Sequence, residues 1–183
     1  PVCLLTIIGI LISDWGPIFY KANRIGKDNK PFKMYKFRSM RVLKAPKKGS
    51  EASLRPDEDR IFPFGHFIRK AKIDELPQLI NVLKGDMAII GPRPLLVRYL
   101  PYYTVRERLR HTVRPGITGW AQVNGRNNIT WDKKLECDAY YAEHVNLWFD
   151  IKILWLTIYK VIKREGAVAD KMENYLDIER KVN

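Results

Sequence analysis

The sequence predicts an α+β fold that is mainly helical, and three observations carry the prediction. A chain of 183 residues is about one domain and long enough to bury a core. Apolar residues recur at helical spacing in Leu76, Leu79, Ile80 and Leu83, and again in Ile151, Leu154, Trp155, Ile158 and Ile162. Short apolar runs at 18–20 and 87–90, and an imperfectly alternating segment at 32–37, read as strands.

The elements follow in chain order. Residues 2–12 are apolar apart from Thr6 and Gly9, too few for the roughly 20 residues that cross a bilayer. They lack the basic opening of a signal peptide, and the pattern fits either a buried core segment or half of a membrane element. A turn cluster, Ser13 Asp14 Trp15 Gly16 Pro17, leads to two strands joined by a polar connector at 23–30. Arg38 and Arg41 are candidates for phosphate or headgroup contact, or for plain solvation. Residues 41–60 carry few apolar side chains, the composition of a mobile loop. Phe62, Phe64, Phe67 and Ile68 lead into the next helix, with a bend expected at Gly65.

The stretch that follows carries the chemistry. The stripe from Leu76 to Leu83 predicts a helix that stops at Gly85, and Pro77 fits only its first turn. Asp74 and Glu75 then fall at or just before that turn, where free N–H groups and the macrodipole favour negative charge. An ionised Asp can attack phosphorus, while its neighbour holds a divalent cation or manages protons. An Asp N-cap beside a Glu that merely suits the dipole fits the same residues. Arg69 lies five positions before Asp74, and Arg93 follows the apolar run in Gly91 Pro92 Arg93 Pro94. Its flanking prolines hold the backbone extended, so a guanidinium fork can meet phosphate oxygens at little ordering cost.

Residues 95–113 read as helical, and the charges Arg98, Arg106, Glu107, Arg108, Arg110 and His111 as a solvated face. Residues 114–128 read as turns, in which Gly116, Gly119 and Gly125 bring backbone N–H groups near an anion and Arg126 adds charge. Residues 131–141 look helical. The stripe of 151–164, with Lys152, Lys160 and Lys163 on another face, fits equally a helix in a membrane interface and a core helix with a wet side. Beyond Gly166 the chain has little apolar content and is expected to fray.

Composition narrows the partners without choosing one. Lys and Arg number 33 against 20 Asp and Glu, a net charge of +13 that suits anionic membrane, nucleic acid or nucleotide phosphates. Cys3 and Cys137 belong to no CxxC pair, which suggests a disulfide-free cytosolic setting. The sequence contains no HExxH, GxxxxGK[ST] or GxSxG, which argues against a zinc hydrolase, a P-loop enzyme or an α/β-hydrolase.

Several motifs stand in one order: Tyr35 Lys36 Phe37 Arg38 Ser39 Met40, the run IDELPQLINVLKGDMAIIGPRP from Ile73, and RPGITGWAQVNGRN from Arg114. Together they resemble the bacterial sugar transferase family, the monotopic polyprenyl phosphate phosphoglycosyl transferases, across nearly the whole chain. The resemblance implies a single compact membrane-associated domain on the cytoplasmic face of the bacterial inner membrane. Residues 1–13 would be part of a re-entrant helix, here truncated, whose proline break falls at Pro1. Residues 14–166 would form the catalytic domain and 167–183 a C-terminal tail. It implies transfer of a phosphosugar, with an N-acetylated hexosamine favoured, from a UDP-sugar to polyprenyl (undecaprenyl) phosphate, the first membrane step of surface glycan, exopolysaccharide or glycoprotein assembly. Asp74 would carry a covalent phosphosugar after UMP leaves, and Glu75 would bind Mg²⁺. Arg69, Arg93 and Arg126 would contact phosphate. Asp138 would pair with an active-site arginine or with the nucleotide, and Asp150 would orient a basic residue. No nucleic acid enters that scheme. The competing reading, a basic module that binds nucleic acid or anionic membrane without catalysis, rests on the net charge with five Trp and nine Tyr. It has no use for the acidic pair.

Overall fold

A computed structural model describes residues 1–42, 60–125, 129–163 and 175–180. Most of the loop expected at 41–60, and most of the tail, lie outside the described residues. The fold is mixed helix and sheet with helices dominant, and the chain divides into two compact units, residues 1–22 with 35–79 and residues 23–34 with 80–183.

The first unit opens with α1 (Val2–Ser13), an unbroken apolar helix. It buries only Thr6 and Ile10, and the Thr6 hydroxyl returns to the Val2 carbonyl at 2.8 Å. Leu4, Leu5, Ile8 and Ile12 stand exposed. Among the described residues no helix is long and apolar enough to cross a membrane. β1 (Phe19–Ile25) and β2 (Pro31–Phe37) pair as a two-stranded sheet, and the division between the units falls within each strand. α2 (Pro63–Lys70) starts with proline at its first position, where the missing N–H costs nothing. Gly65 lies inside this helix against the Ser39 carbonyl, so the expected bend is absent. Ile10, Phe37, Phe62 and Ile68 make the core of the unit. Arg38 does not reach outward: it is buried, its Nε donates to the Pro17 carbonyl at 2.6 Å, and its Nη atoms are taken by Asp14.

α3 (Gln78–Leu83) carries the chain into the second unit and ends as the sequence predicts, with Gly85 at φ +81°. Its burial is inverted: Gln78 and Asn81 are buried, whereas Leu79 and Ile80 are exposed and Leu83 is 89% exposed. Asn81 holds the polar side inward, its Nδ2 donating to the Lys33 carbonyl at 2.8 Å and to Asp86 Oδ2 at 3.2 Å.

In the second unit β3 (Ala88–Ile90) pairs in parallel with β4 (Gly116–Thr118), Ala88 opposite Gly116 and Ile90 opposite Thr118. Short 3₁₀ helices replace the single helix expected over 95–113, at Val97–Tyr102 and Glu107–His111, because Pro101 lacks the N–H a longer helix needs and Tyr103 is extended. Among the described residues the helices that follow are α4 (Trp120–Val123), α5 (Trp131–Glu143), α6 (Leu147–Ile162) and α7 (Leu176–Glu179). Thr130 and Asn146 cap α5 and α6 by accepting from Lys133 N at 3.4 Å and Phe149 N at 2.9 Å. Residues 175–180 do not fray, since Leu176 packs with Ile25, Tyr99, Tyr103, Trp131 and Leu135, and Arg180 pairs with Glu107 at 2.6 Å. Cys3 and Cys137 are both free.

Candidate active site

Asp74 and Glu75 lie in the 3₁₀ turn Ile73–Glu75 rather than in α3, so the helix macrodipole is not their main electrostatic support. Lys72, just before the turn, is left-handed at φ +58°, a conformation a side chain adopts at some cost and one that recurs at functional sites. The turn is held because Ile73 and Leu76 pack on the first unit's core. It holds Asp74 buried, 7% exposed, with Oδ1 lacking any hydrogen-bond partner among the described residues.

Burial pushes the Asp74 carboxyl above the usual carboxylate range. Lys36 opposes that shift most, Glu75 adds to it, and Lys72 and Arg69 also oppose it. Lys36 Nζ donates to Glu75 Oε1 at 2.9 Å, and both side chains are largely covered. The first unit therefore gathers Asp74, Glu75 and Arg69 as the sequence predicts, and adds Lys36 and Lys72. Lys36 was missed because an alternating strand offers no sign of which lysine turns inward to a carboxylate 39 positions away.

Among the described residues no group of three His, Cys, Asp or Glu side chains gathers to hold a metal. Mg²⁺ needs no such cage, because one or two carboxylates commonly hold it together with substrate phosphates. The adjacent Asp74 and Glu75 carboxylates, one with an unpartnered oxygen, have the donor chemistry for an ion that arrives with a diphosphate.

The second unit builds the loop that carries Arg93. Gly91 N donates to the Thr118 carbonyl at 2.8 Å, and Gly116 N to the Pro92 carbonyl at 2.9 Å. A Cβ on Gly91 or Gly116 would strike the facing backbone, so these glycines serve close chain packing. That replaces the anion-cradling role expected of Gly116. Arg93 is half-buried, and its carbonyl accepts from Arg110 Nη2 at 2.6 Å.

Asp138 is buried among protein groups and pairs with that same Nη2 at 2.9 Å, so of the two expected partners it takes an arginine. Burial pushes its carboxyl up to about 6, with Arg110 opposing, and at neutral pH the pair is ionic. Arg110 Nη1 also donates to the Tyr103 hydroxyl at 3.0 Å. His111 is 6% exposed, and burial, with Arg110 next, pulls it down to about 4; a hydrogen bond with the Gly26 backbone works the other way. Glu107, Arg110 and His111 are thus interior, against the solvated face expected of this run, whereas Arg106 stays outside and pairs with Glu136 at 2.7 Å and Glu143 at 3.1 Å. Asp150 accepts from the Tyr141 hydroxyl at 2.8 Å instead of orienting a basic residue. Arg126 lies outside the described residues.

Comparison with known proteins gives a consistent picture. The sequence profile of the family described as "Bacterial sugar transferase" matches residues 1–164. The chain is 48% identical over 179 residues to the sugar transferase EpsL of Bacillus subtilis, covering 98% of this chain and 85% of that protein. It is 41% identical over 175 residues to the UDP-glucose:undecaprenyl-phosphate glucose-1-phosphate transferase of Escherichia coli, covering 91% of this chain and 37% of that protein. Identity to the UDP-N-acetylgalactosamine-undecaprenyl-phosphate N-acetylgalactosaminephosphotransferase of Aeromonas hydrophila is 41% over 177 residues, 91% of this chain and 40% of that protein. The chain thus spans most of the Bacillus relative and well under half of the other two.

Proposed function

The chain belongs to the bacterial sugar transferase family, and from that premise we propose that it transfers a phosphosugar from a UDP-sugar to a polyprenyl phosphate and releases UMP. The observation that carries the reading is the Asp74 carboxylate: buried, with one unpartnered oxygen, and under the influence of Lys36, Lys72 and Arg69. A desolvated anion is a stronger nucleophile, and the cations favour its ionised form.

In the first step an Asp74 oxygen bonds to the β-phosphorus as the bond from that phosphorus to the α–β bridging oxygen breaks. UMP departs with the electron pair. In the second, a phosphate oxygen of the polyprenyl phosphate attacks the same phosphorus and Asp74 leaves as a free carboxylate. Arg69 steadies phosphate oxygens that gain charge, and Arg93 is read, from the family resemblance, as a further phosphate contact. Glu75 would hold Mg²⁺, which would neutralise phosphate charge. Lys36 keeps Glu75 oriented. Two steps allow a soluble nucleotide and a lipid to use one site in turn.

The exposed faces support a lipid setting. α1 leaves Leu4, Leu5, Ile8 and Ile12 uncovered, and α6 leaves Trp148, Leu154, Trp155, Ile158 and Ile162 uncovered with Lys152 and Lys163 exposed as well. Apolar side chains mixed with basic ones suit an anionic membrane interface. The reading places both helices at the cytoplasmic leaflet of the inner membrane, α1 as part of the re-entrant element. For the donor, an N-acetylated hexosamine stands first, with glucose and galactose beside it because relatives' names carry them.

The test is UMP release from UDP-glucose, UDP-galactose and UDP-N-acetylgalactosamine, with Mg²⁺ and undecaprenyl phosphate in liposomes. The reading expects release from at least one donor, its loss with chelator, and its loss in Asp74→Asn. Equal release by Asp74→Asn overturns the role of that residue.

A further inference from the structure

We infer that Arg110 is a positioning residue for Arg93, acting through the backbone of the loop that carries it. The inference rests on the reading of Arg93 as a phosphate contact. Pro92 and Pro94 restrict the chain on both sides of Arg93, and the bonds from Gly91 and to Pro92 tie the loop's entry to β4. Pro94 confines the peptide plane that leaves Arg93 to the extended range without selecting one orientation within it. Arg110 selects one, by donating from Nη2 to the Arg93 carbonyl at 2.6 Å.

Arg110 is itself held from two further directions. Asp138 Oδ2 receives the same Nη2 at 2.9 Å, and the Tyr103 hydroxyl receives Nη1 at 3.0 Å. The Arg110 and Asp138 side chains are only 1% and 3% exposed. A buried ion pair of this kind gives little net stability over apolar side chains of similar volume, so stability alone accounts poorly for it. Its geometry suits a different task. A planar guanidinium can reach a carboxylate, a hydroxyl and a carbonyl in fixed relative directions, which the single ammonium of lysine cannot. The 3₁₀ turn Glu107–His111 brings Arg110 to the loop, and α5 brings Asp138 to Arg110. The donor's phosphates would therefore meet an Arg93 whose Cα and side-chain direction are set by residues 17 and 45 positions further along the chain.

The experiment is a double-mutant cycle on the full chain in liposomes, read as KM and kcat for whichever UDP-sugar of the panel supports UMP release. Arg110→Lys should raise the donor KM about tenfold, with kcat changed much less, because misplacement of a binding group weakens recognition. In an Arg93→Ala background the same substitution should change KM less than about twofold, because the positioned group is gone. Tyr103→Phe removes one bond from Arg110 with little change of volume. Should Arg110→Lys fail to fold, it takes its place, with a smaller rise in KM and the same silence in Arg93→Ala. Factors that multiply in the double variant overturn the inference, as does an unchanged KM in Arg110→Lys. If Arg93→Ala alone leaves KM unchanged, the reading of Arg93 falls and the inference with it. If the wild-type chain releases no UMP from any donor, the proposed function itself falls, a distinct result that also removes the inference.

Discussion

Lys36 Nζ and Glu75 Oε1 meet at 2.9 Å, joining the end of β2 to the turn that carries Asp74. The lysine also opposes, more than any other group, the upward push that burial gives the Asp74 carboxyl. One cation therefore orients one carboxylate and favours the ionised form of its neighbour.

Lys36→Met should lower kcat/KM at neutral pH by about tenfold to a hundredfold, the scale of losing one preorganised charge in an active site. The nucleophile must be deprotonated, so activity falls as pH drops through the Asp74 pKa. Without Lys36 that pKa rises further, and the acid limb of the pH profile should move to higher pH. Lys36→Arg, which keeps the charge, should move it less. A limb that stays in place in Lys36→Met contradicts the assignment.

Asp74→Asn should reduce UMP release by about a thousandfold or more and at the same time stabilise the fold. A carboxyl whose folded pKa lies above its unfolded value costs stability once the pH exceeds the unfolded pKa. Thermal unfolding at pH 7 should therefore give a higher Tm for Asp74→Asn than for the wild type. The gap should close as the pH falls through the raised folded pKa and be gone below the unfolded value of about 4, where both states are protonated.

His111 gives the opposite sign. Its folded pKa of about 4 lies below the unfolded value, so the unfolded chain takes up a proton first on acidification. Its contribution to stability is complete above about pH 6.5 and is lost as pH falls toward 4. Between pH 7 and pH 5 the wild type should lose about 2 kcal/mol relative to His111→Gln, at about 1.4 kcal/mol per pH unit below the unfolded pKa. Denaturant unfolding of both proteins at the two pH values measures the difference.

The face of α6 makes a prediction about lipid. Trp155 is 70% exposed and Ile158 is 47% exposed, so Trp155→Glu with Ile158→Glu should leave the helix folded. Each apolar side chain contributes about 2 kcal/mol when buried, and co-sedimentation with anionic phospholipid vesicles should fall at least about tenfold. Undiminished co-sedimentation would move the membrane contact elsewhere.

What could be read from the residues was what depends on near neighbours in sequence. The stop at Gly85, the strand at Ala88–Ile90, the α5 and α6 helices and the clustering of Asp74, Glu75 and Arg69 all follow from local spacing. The misses depended on tertiary partners. Arg38, Arg110 and His111 have the polarity of a wet surface, and only the fold supplies Asp14, Asp138 and the Gly26 backbone that allow them inside. The outward turn of Leu79, Ile80 and Leu83 was hidden for the same reason, because periodicity identifies a face without saying what covers it. β4 escaped notice because three residues with a glycine among them look like a turn until β3 lies alongside.

Intact-mass spectrometry of the full chain, mixed with each UDP-sugar and Mg²⁺ in the absence of polyprenyl phosphate, tests the central claim most directly. The account predicts a mass gain of one phosphosugar on the wild type, reversed when undecaprenyl phosphate is added and absent from Asp74→Asn. UMP released in step with lipid-linked product, with no adduct on the protein at any time, or an adduct that persists in Asp74→Asn, would contradict it.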